Sequence, residues 1–296
     1  MDIGHLLTLP NLIAALLVLA PFLCAAFFGS GFVRRVRSLS LWLRLAAPAT
    51  LSVPYVLVTC AAGCFHWGWF VVYALFPVVV AILLWQADCV DNRQIGTWRD
   101  FLVLVVLGLA VDLRWFEGAW PVHLASIGKM LLMDAAIYGF IGVRQLDGVG
   151  FDLRLHLRDA AIGLRELVWY APIALVLGLG MGFLHLHRTW PGFGPLAGAW
   201  IYTFFLIAVP EELFFRGWLQ NLLERRLGRL SALAVTAILF GLSHFNKRAA
   251  HFNWRYVLLA ALAGVFYGRA WRHKRRVGAS AITHASVDTI WSLWLQ

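Results

Sequence analysis

The residues of this chain with the greatest chemical potential lie in one apolar stretch, residues 207–220. It holds two adjacent carboxylates, Glu211 and Glu212, and the guanidinium of Arg216, among residues that are otherwise almost entirely apolar. Charge in the middle of a bilayer costs about 2.5–3.5 kcal/mol per residue even on the lenient insertion scale. Three such residues this close together therefore indicate a functional site. The alternative is a structural ion pair that only fixes helix packing.

Spacing distinguishes the two glutamates. Glu212 and Arg216 are four residues apart with the acid first, which is the favoured arrangement for a pair on one helix face. Glu211 points about 100° away around the helix, so it is the freer carboxylate and the better candidate for a general base. Pro210 cannot donate its backbone N–H, and we expect it to bend the helix just before the pair.

Two histidines and another acid lie within later apolar segments. His244 falls near the end of one segment, and His284 lies four residues before Asp288 in the last one. That spacing places His284 and Asp288 on one helix face, where they suit two metal ligands or a proton carrier with its orienting acid. Asp134 is the only acid well inside an apolar segment of the first half.

The elements that must position these residues are membrane helices. The 296 residues are 61% hydrophobic and 14% charged, with a mean hydropathy of +0.76, whereas a soluble domain is about 25% charged. The long continuous apolar runs predict an all-α, polytopic transmembrane helix bundle of about 8–10 spans rather than a barrel. Ten apolar segments are present, at residues 9–29, 45–62, 67–86, 101–111, 123–143, 167–186, 199–223, 231–245, 256–271 and 278–295.

The net charge of +10 follows from basic connections between these segments. Eighteen of the 25 Lys and Arg residues fall in alternate connections, which predicts that those connections lie in the cytoplasm and makes a nucleic-acid partner unnecessary. They are residues 30–44, 87–100, 144–166, 224–230 and 269–276. Residues 150–166 mix charged and apolar side chains, and we expect an amphipathic helix at the inner interface there, with a soluble connecting loop as the alternative.

Three motifs in order carry a family resemblance. Glu211-Glu212-Leu-Phe-Phe-Arg216, Phe240-Gly-Leu-Ser-His244 and His284-Ala-Ser-Val-Asp288 resemble the EExxxR, FxxxH and HxxxN/D signatures of the CPBP family. This family includes type II CAAX prenyl proteases and bacteriocin-processing or self-immunity proteins. The resemblance covers roughly residues 165–296. We therefore divide the chain into N-terminal helices without a recognised motif, residues 1–164, and a CPBP-like catalytic core, residues 165–296.

The resemblance implies an intramembrane endopeptidase of the CAAX-protease type. In such an enzyme Glu211 would activate the attacking water, with Glu212 and Arg216 ordering the site. His244 would help to hold the water, and His284 with Asp288 would stabilise the oxyanion. The family has been described both as glutamate-type and as metalloproteases. No cofactor is favoured here, and zinc held by His244, His284 and Asp288 is the alternative.

Three functions remain open at this stage. The first is hydrolysis of peptide bonds in membrane-associated or lipidated proteins. The second is a proton-coupled transporter that uses the buried carboxylates as a relay, which the absence of an internal repeat weakens. The third is a catalytically silent membrane partner or immunity factor. All three place the chain in a lipid bilayer, and the inner membrane of a bacterium fits. Ser280 stands at a predicted helix start, and we interpret it as a cap.

Overall fold

The fold is entirely helical. A computed structural model describes residues 8–187, 189–247 and 251–295. Of the residues that the structure describes, 78% are helical and none forms a strand. The prediction of an all-α, polytopic bundle is confirmed.

Each of the ten apolar segments becomes one helix, with short irregular turns inside some of them. Within the described ranges these are α1 Leu9–Ser38, α2 Leu41–Ala61, α3 Trp67–Val90, α4 Trp98–Asp112, α5 Ala125–Val143, α6 Leu157–Gly180, α7 Phe193–Leu227, α8 Arg229–Leu242, α9 Trp254–Arg272 and α10 Val277–Trp294. A 3₁₀ turn at Glu117–Ala119 lies between α4 and α5.

Six of the helices in the described part of the chain, α1, α2, α3, α5, α6 and α7, are long and apolar enough to cross a membrane. That count is lower than the 8–10 spans predicted. Helices α4 and α8 have 15 and 14 residues, whereas a hydrocarbon core of about 30 Å needs about 20. Helices α9 and α10 have 19 and 18 residues and are more polar, because α9 carries arginines and α10 carries His284 and Asp288.

Contacts divide the chain into two compact units, Met1–Asp147 with α1–α5 and Gly148–Gln296 with α6–α10. The division predicted at residues 164/165 rested on motif content rather than on contacts, and it stays a prediction. All three motifs lie in the second unit.

A buried arginine connects three helix ends within the first unit. Arg144, at the end of α5, is fully buried. Its Nη2 lies 2.7 Å from Asp91 Oδ2, its Nε 3.1 Å from Asp100 Oδ1, and its Nη1 3.4 Å from Asp88 Oδ1. The sequence analysis counted Arg144 among the loop charges. The structure shows that it is an internal ion-pair centre, because carboxylates from α3, from the turn after it and from α4 converge on it.

In the second unit, the segment before α6 is not helical. Residues 150–156 have no regular secondary structure, and α6 begins at Leu157, so the amphipathic helix predicted over residues 150–166 is wrong for its first half. Hydrogen bonds from the backbone of Val277 and the side chain of Arg276 explain the difference. The N–H of Val277 donates to the Gly150 carbonyl at 2.9 Å, and Arg276 donates to the carbonyls of Asp152 and Arg154. These bonds hold the segment against the start of α10.

We expect Arg144→Met to destabilise the first unit strongly. The variant leaves the fully buried Asp100 carboxylate without its cation, and breaking a buried pair in this way costs about 3–5 kcal/mol. Unfolding of the purified protein by SDS titration in mixed micelles measures the loss. The control is Arg154→Met, whose ion pair with Asp152 is largely exposed and whose removal should leave the transition almost unchanged. Equal effects of the two substitutions would contradict the assignment of Arg144 as an internal centre.

Candidate functional site

The two glutamates lie in a short regular stretch between two widened turns of α7. Val209–Glu212 is α-helical, and the segments Phe204–Ala208 and Leu213–Gln220 on either side of it are π-helical. The N–H that Pro210 lacks removes one intrahelical hydrogen bond, and π turns often mark functional positions in helices. The helix thus changes its pitch on both sides of the acidic pair, while the bend expected at Pro210 stays a prediction.

Glu212 is the centre of a buried network. Its carboxylate is fully buried and accepts a hydrogen bond from Arg216 Nε at 3.0 Å, as the four-residue spacing predicted. His284 Nδ1 donates to Glu212 Oε1 at 2.9 Å, and the Ser280 hydroxyl donates to Oε2. A buried carboxylate with this many donors is held in one orientation. Glu212 is therefore suited to positioning its neighbours.

Glu211 lies in a different environment. Its side chain is 29% exposed, and its Oε2 lies 3.9 Å from Nε2 of His284. Asp288 Oδ2 approaches the same imidazole nitrogen at 3.4 Å, and its side chain is 32% exposed. One histidine thus stands between a buried carboxylate on its Nδ1 side and two accessible carboxylates on its Nε2 side. Only the accessible carboxylates can receive a proton from a water molecule.

His244 joins the site from the turn that follows α8. Its Nδ1 donates to the Phe240 carbonyl at 2.8 Å, which leaves Nε2 as the second polar position of the ring. The Phe240 ring contacts both imidazoles, with centroids 5.0 Å from His244 and 5.6 Å from His284. The two histidines therefore pack against one aromatic side chain.

Aromatic side chains restrict the movement of both histidines. The Tyr267 ring is stacked on His284 at 4.6 Å with an interplanar angle of 15°, and Tyr256 meets His244 edge-on at 4.8 Å. The guanidinium of Arg216 lies 5.2 Å from the centroid of the Phe240 ring. Packing on both faces limits the available rotamers, so the imidazoles are held in place before any substrate binds.

A cavity of about 110 Å³ opens beside the histidines. His244, His284 and Asp288 form the polar part of its wall. The remainder is apolar or aromatic and comes mainly from α6, α9 and the end of α10, for example Ala174, Ala260 and Trp291. A mostly apolar cavity with a few convergent polar groups is typical of a site for a small or extended ligand.

The donors do not form the three-ligand set that zinc requires. Among the described residues, no three side chains of His, Cys, Asp or Glu are grouped so that they could hold one metal ion. Nδ1 of His284 donates to Glu212 and Nδ1 of His244 donates to the Phe240 carbonyl, so only Nε2 of each ring could bind a metal. The zinc set predicted as the alternative, His244, His284 and Asp288, is not grouped as one metal site in this arrangement, and it stays a prediction.

All six residues predicted from the motifs lie in the second unit, and the structure brings them together around His284 and Phe240. Sequence reasoning missed Ser280, which was interpreted as a helix cap. Helix α10 begins at Val277, and Ser280 is instead a buried donor to Glu212. Its position four residues before His284, on the same face, was the available signal. Asp134 lies in the other unit, and its carboxylate has no hydrogen-bond partner among the described residues.

The fold and the site together define the class of this protein, a polytopic helical membrane protein with an internal polar site. That site contains buried acids, two histidines and an adjacent apolar cavity. Residues 193–290, about a third of the chain, match the family model for type II CAAX prenyl endopeptidases, described as Rce1-like. The match includes all three motifs, so the resemblance to CAAX proteases is confirmed over this range. It supports a CAAX-type intramembrane endopeptidase in general terms. No curated protein and no solved structure matches the chain.

The two glutamates should respond differently to neutral substitution. We expect Glu212→Gln to lower the free energy of unfolding by about 3–5 kcal/mol, because it leaves the buried Arg216 without its counter-charge. Glu211→Gln, at a partly exposed position with one long contact, should change it by less than about 1 kcal/mol. SDS titration of the two purified variants makes the comparison. A stable Glu212→Gln protein would show that the network is not a structural requirement.

Proposed function

We propose that the second unit hydrolyses peptide bonds of membrane-associated or lipidated proteins through a water molecule activated by Glu211. The observation that supports this most directly is the unequal environment of the adjacent acids. Glu212 is bonded to Arg216, Ser280 and His284, whereas Glu211 is partly exposed. One carboxylate is available as a base beside another that holds the site in position.

The proposed reaction uses groups that lie close together. Glu211 removes a proton from water as the oxygen attacks the carbonyl carbon of the substrate peptide bond. The negative charge that develops on the carbonyl oxygen is stabilised by the Nε2–H of a protonated His284. Nε2 of His244, whose Nδ1 donates to the Phe240 carbonyl, accepts a hydrogen bond from the attacking water. Asp288, 3.4 Å from His284, supports a protonated imidazole. Collapse of the intermediate breaks the C–N bond, and the proton on Glu211 passes to the leaving amine.

The cavity supports the proposed substrate class. Its polar wall carries the histidines and Asp288, and its apolar wall extends away from them towards α6 and α9. An apolar side chain or lipid group attached to a peptide would be held there while the scissile bond lies at the polar wall. Binding energy from such a remote apolar group can serve to orient the reacting bond.

We expect Glu211→Gln to abolish cleavage without loss of the folded protein. Removal of a general base lowers the rate by about 10²–10⁴-fold. Mass spectrometry of protein termini in membranes from cells with wild-type protein, Glu211→Gln protein or no protein identifies the substrate and measures the loss. Arg154→Gln, at an exposed position, is the matched control for expression.

The alternatives give different results in the same experiment. A silent partner protein would produce no terminus that depends on Glu211. A proton-coupled transporter would also leave the termini unchanged, but the variant would lose proton uptake in proteoliposomes. If cells with the Glu211→Gln protein and cells with the wild type give the same protein termini, the proposed role of this carboxylate is contradicted.

A metal-free reaction predicts that chelators leave activity largely intact. The substrate identified from the changed termini can be incubated with purified protein before and after treatment with 1,10-phenanthroline, while zinc content is measured by mass spectrometry. We expect less than one zinc per chain and little loss of rate. If the chelator abolishes turnover and added zinc restores it, the metal-free proposal is wrong, and His244, His284 and Asp288 become the candidate ligands.

A further inference from the structure

The first turns of α6 carry exposed arginines next to an apolar face. Arg158 and Arg165 are seven residues apart on the same side of the helix, and both are exposed. Leu157 beside them is 92% exposed. The helix is one of those long and apolar enough to cross a membrane, so this cationic end would lie where headgroups meet hydrocarbon.

The positive charge at this end is only partly compensated. Glu166 is fully buried and is shared by two arginines, with Arg165 Nη2 at 2.7 Å from Oε1 and Arg269 Nε at 3.1 Å from Oε2. Arg158 makes no ion pair with any residue that the structure describes. Glu166 therefore pairs with two of the three arginines, and the cluster of Arg158, Arg165 and Arg269 keeps a net positive charge.

The environment of His273 shows the same excess of positive charge. Nε2 of His273 contacts Nη2 of Arg165, and because a guanidinium can only donate, the imidazole accepts as its neutral form. Partial burial, together with the charges of Arg165 and Arg158, lowers the pKa of His273. A ligand that relieves this repulsion must bring negative charge.

The exposed face of α6 beyond Arg165 further limits the chemical class of ligand that could bind. Beyond Arg165 the outward positions of α6 are apolar, including Val168 at 68% exposure and Trp169, Ile173 and Val176. The eleven residue steps from Arg165 to Val176 span about 16 Å along the helix, close to the roughly 15 Å of one leaflet of the hydrocarbon core. A ligand that fits both parts has an anionic head and a hydrocarbon chain of one leaflet's length.

We propose that this surface, formed by Arg158, Arg165, Arg269 and the apolar face of α6, binds an anionic phospholipid. Its phosphate would lie between the guanidinium groups, which match phosphate oxygens in bidentate geometry. One acyl chain would run along Val168 and Val176. The binding does not depend on peptide hydrolysis, so the two proposals can fail separately.

Native mass spectrometry of the full chain in detergent tests this proposal. Phosphatidylglycerol or phosphatidylcholine is added at increasing concentration, and the bound fraction is measured for the wild type, for Arg158→Gln and for the Arg158→Gln/Arg165→Gln double variant. We expect the wild type to retain phosphatidylglycerol in preference to phosphatidylcholine. Affinity for phosphatidylglycerol should fall about fivefold for each arginine removed.

Arg229→Gln is the matched control, because it removes one charge from an exposed arginine at the start of α8 and should leave binding unchanged. The single variant Arg158→Gln breaks no ion pair with the described residues, so its folding is not at risk. Equal retention of both lipids by the wild type, or unchanged phosphatidylglycerol affinity in the double variant, overturns the proposal. Displacement of the lipid by inorganic phosphate alone would also overturn it, since it would show a site for small anions rather than for a lipid.

Discussion

The hydrogen-bonded carboxylate of Glu212 is the interaction on which the site depends. It is fully buried and receives donors from its own helix, through Arg216, and from α10, through Ser280 and His284. An unpaired carboxylate in this position would carry a desolvation cost of several kcal/mol. The network therefore fixes α7 relative to α10 at the level of the site, and it sets the orientation of the imidazole that faces Glu211 and Asp288.

Two adjacent acids thus lie in different environments because of a rotation of about 100° between neighbouring residues of a helix. Glu212 is turned inwards to the donors, and Glu211 is turned to where water can reach it. Aromatic packing completes the arrangement, since Phe240 contacts both histidines and Tyr267 is stacked on His284. Polar groups held by an apolar frame need little rearrangement when charge develops in a reaction.

Buried charge also organises regions away from the site. In the first unit, Arg144 forms ion pairs with three carboxylates. In the second unit, Glu166 forms ion pairs with both Arg165 and Arg269. The two centres differ in the sign of their net charge. Carboxylates outnumber the arginine at the first, whereas arginines outnumber the carboxylate at the second, which is why only the second offers cationic surface to an anionic ligand.

The sequence by itself determined those features that depend on neighbours along one helix. The apolar segments became helices, Glu212 met Arg216 and His284 met Asp288 at a spacing of four, and the three motifs indicated the family, because such relations follow from the helical repeat. Contacts between helices depended on the tertiary structure. Only packing shows that His284 reaches Glu212, that Ser280 is a donor rather than a cap, and that Arg144 is internal rather than a loop charge. Each of these depends on distances between segments far apart in the chain, which local spacing does not contain.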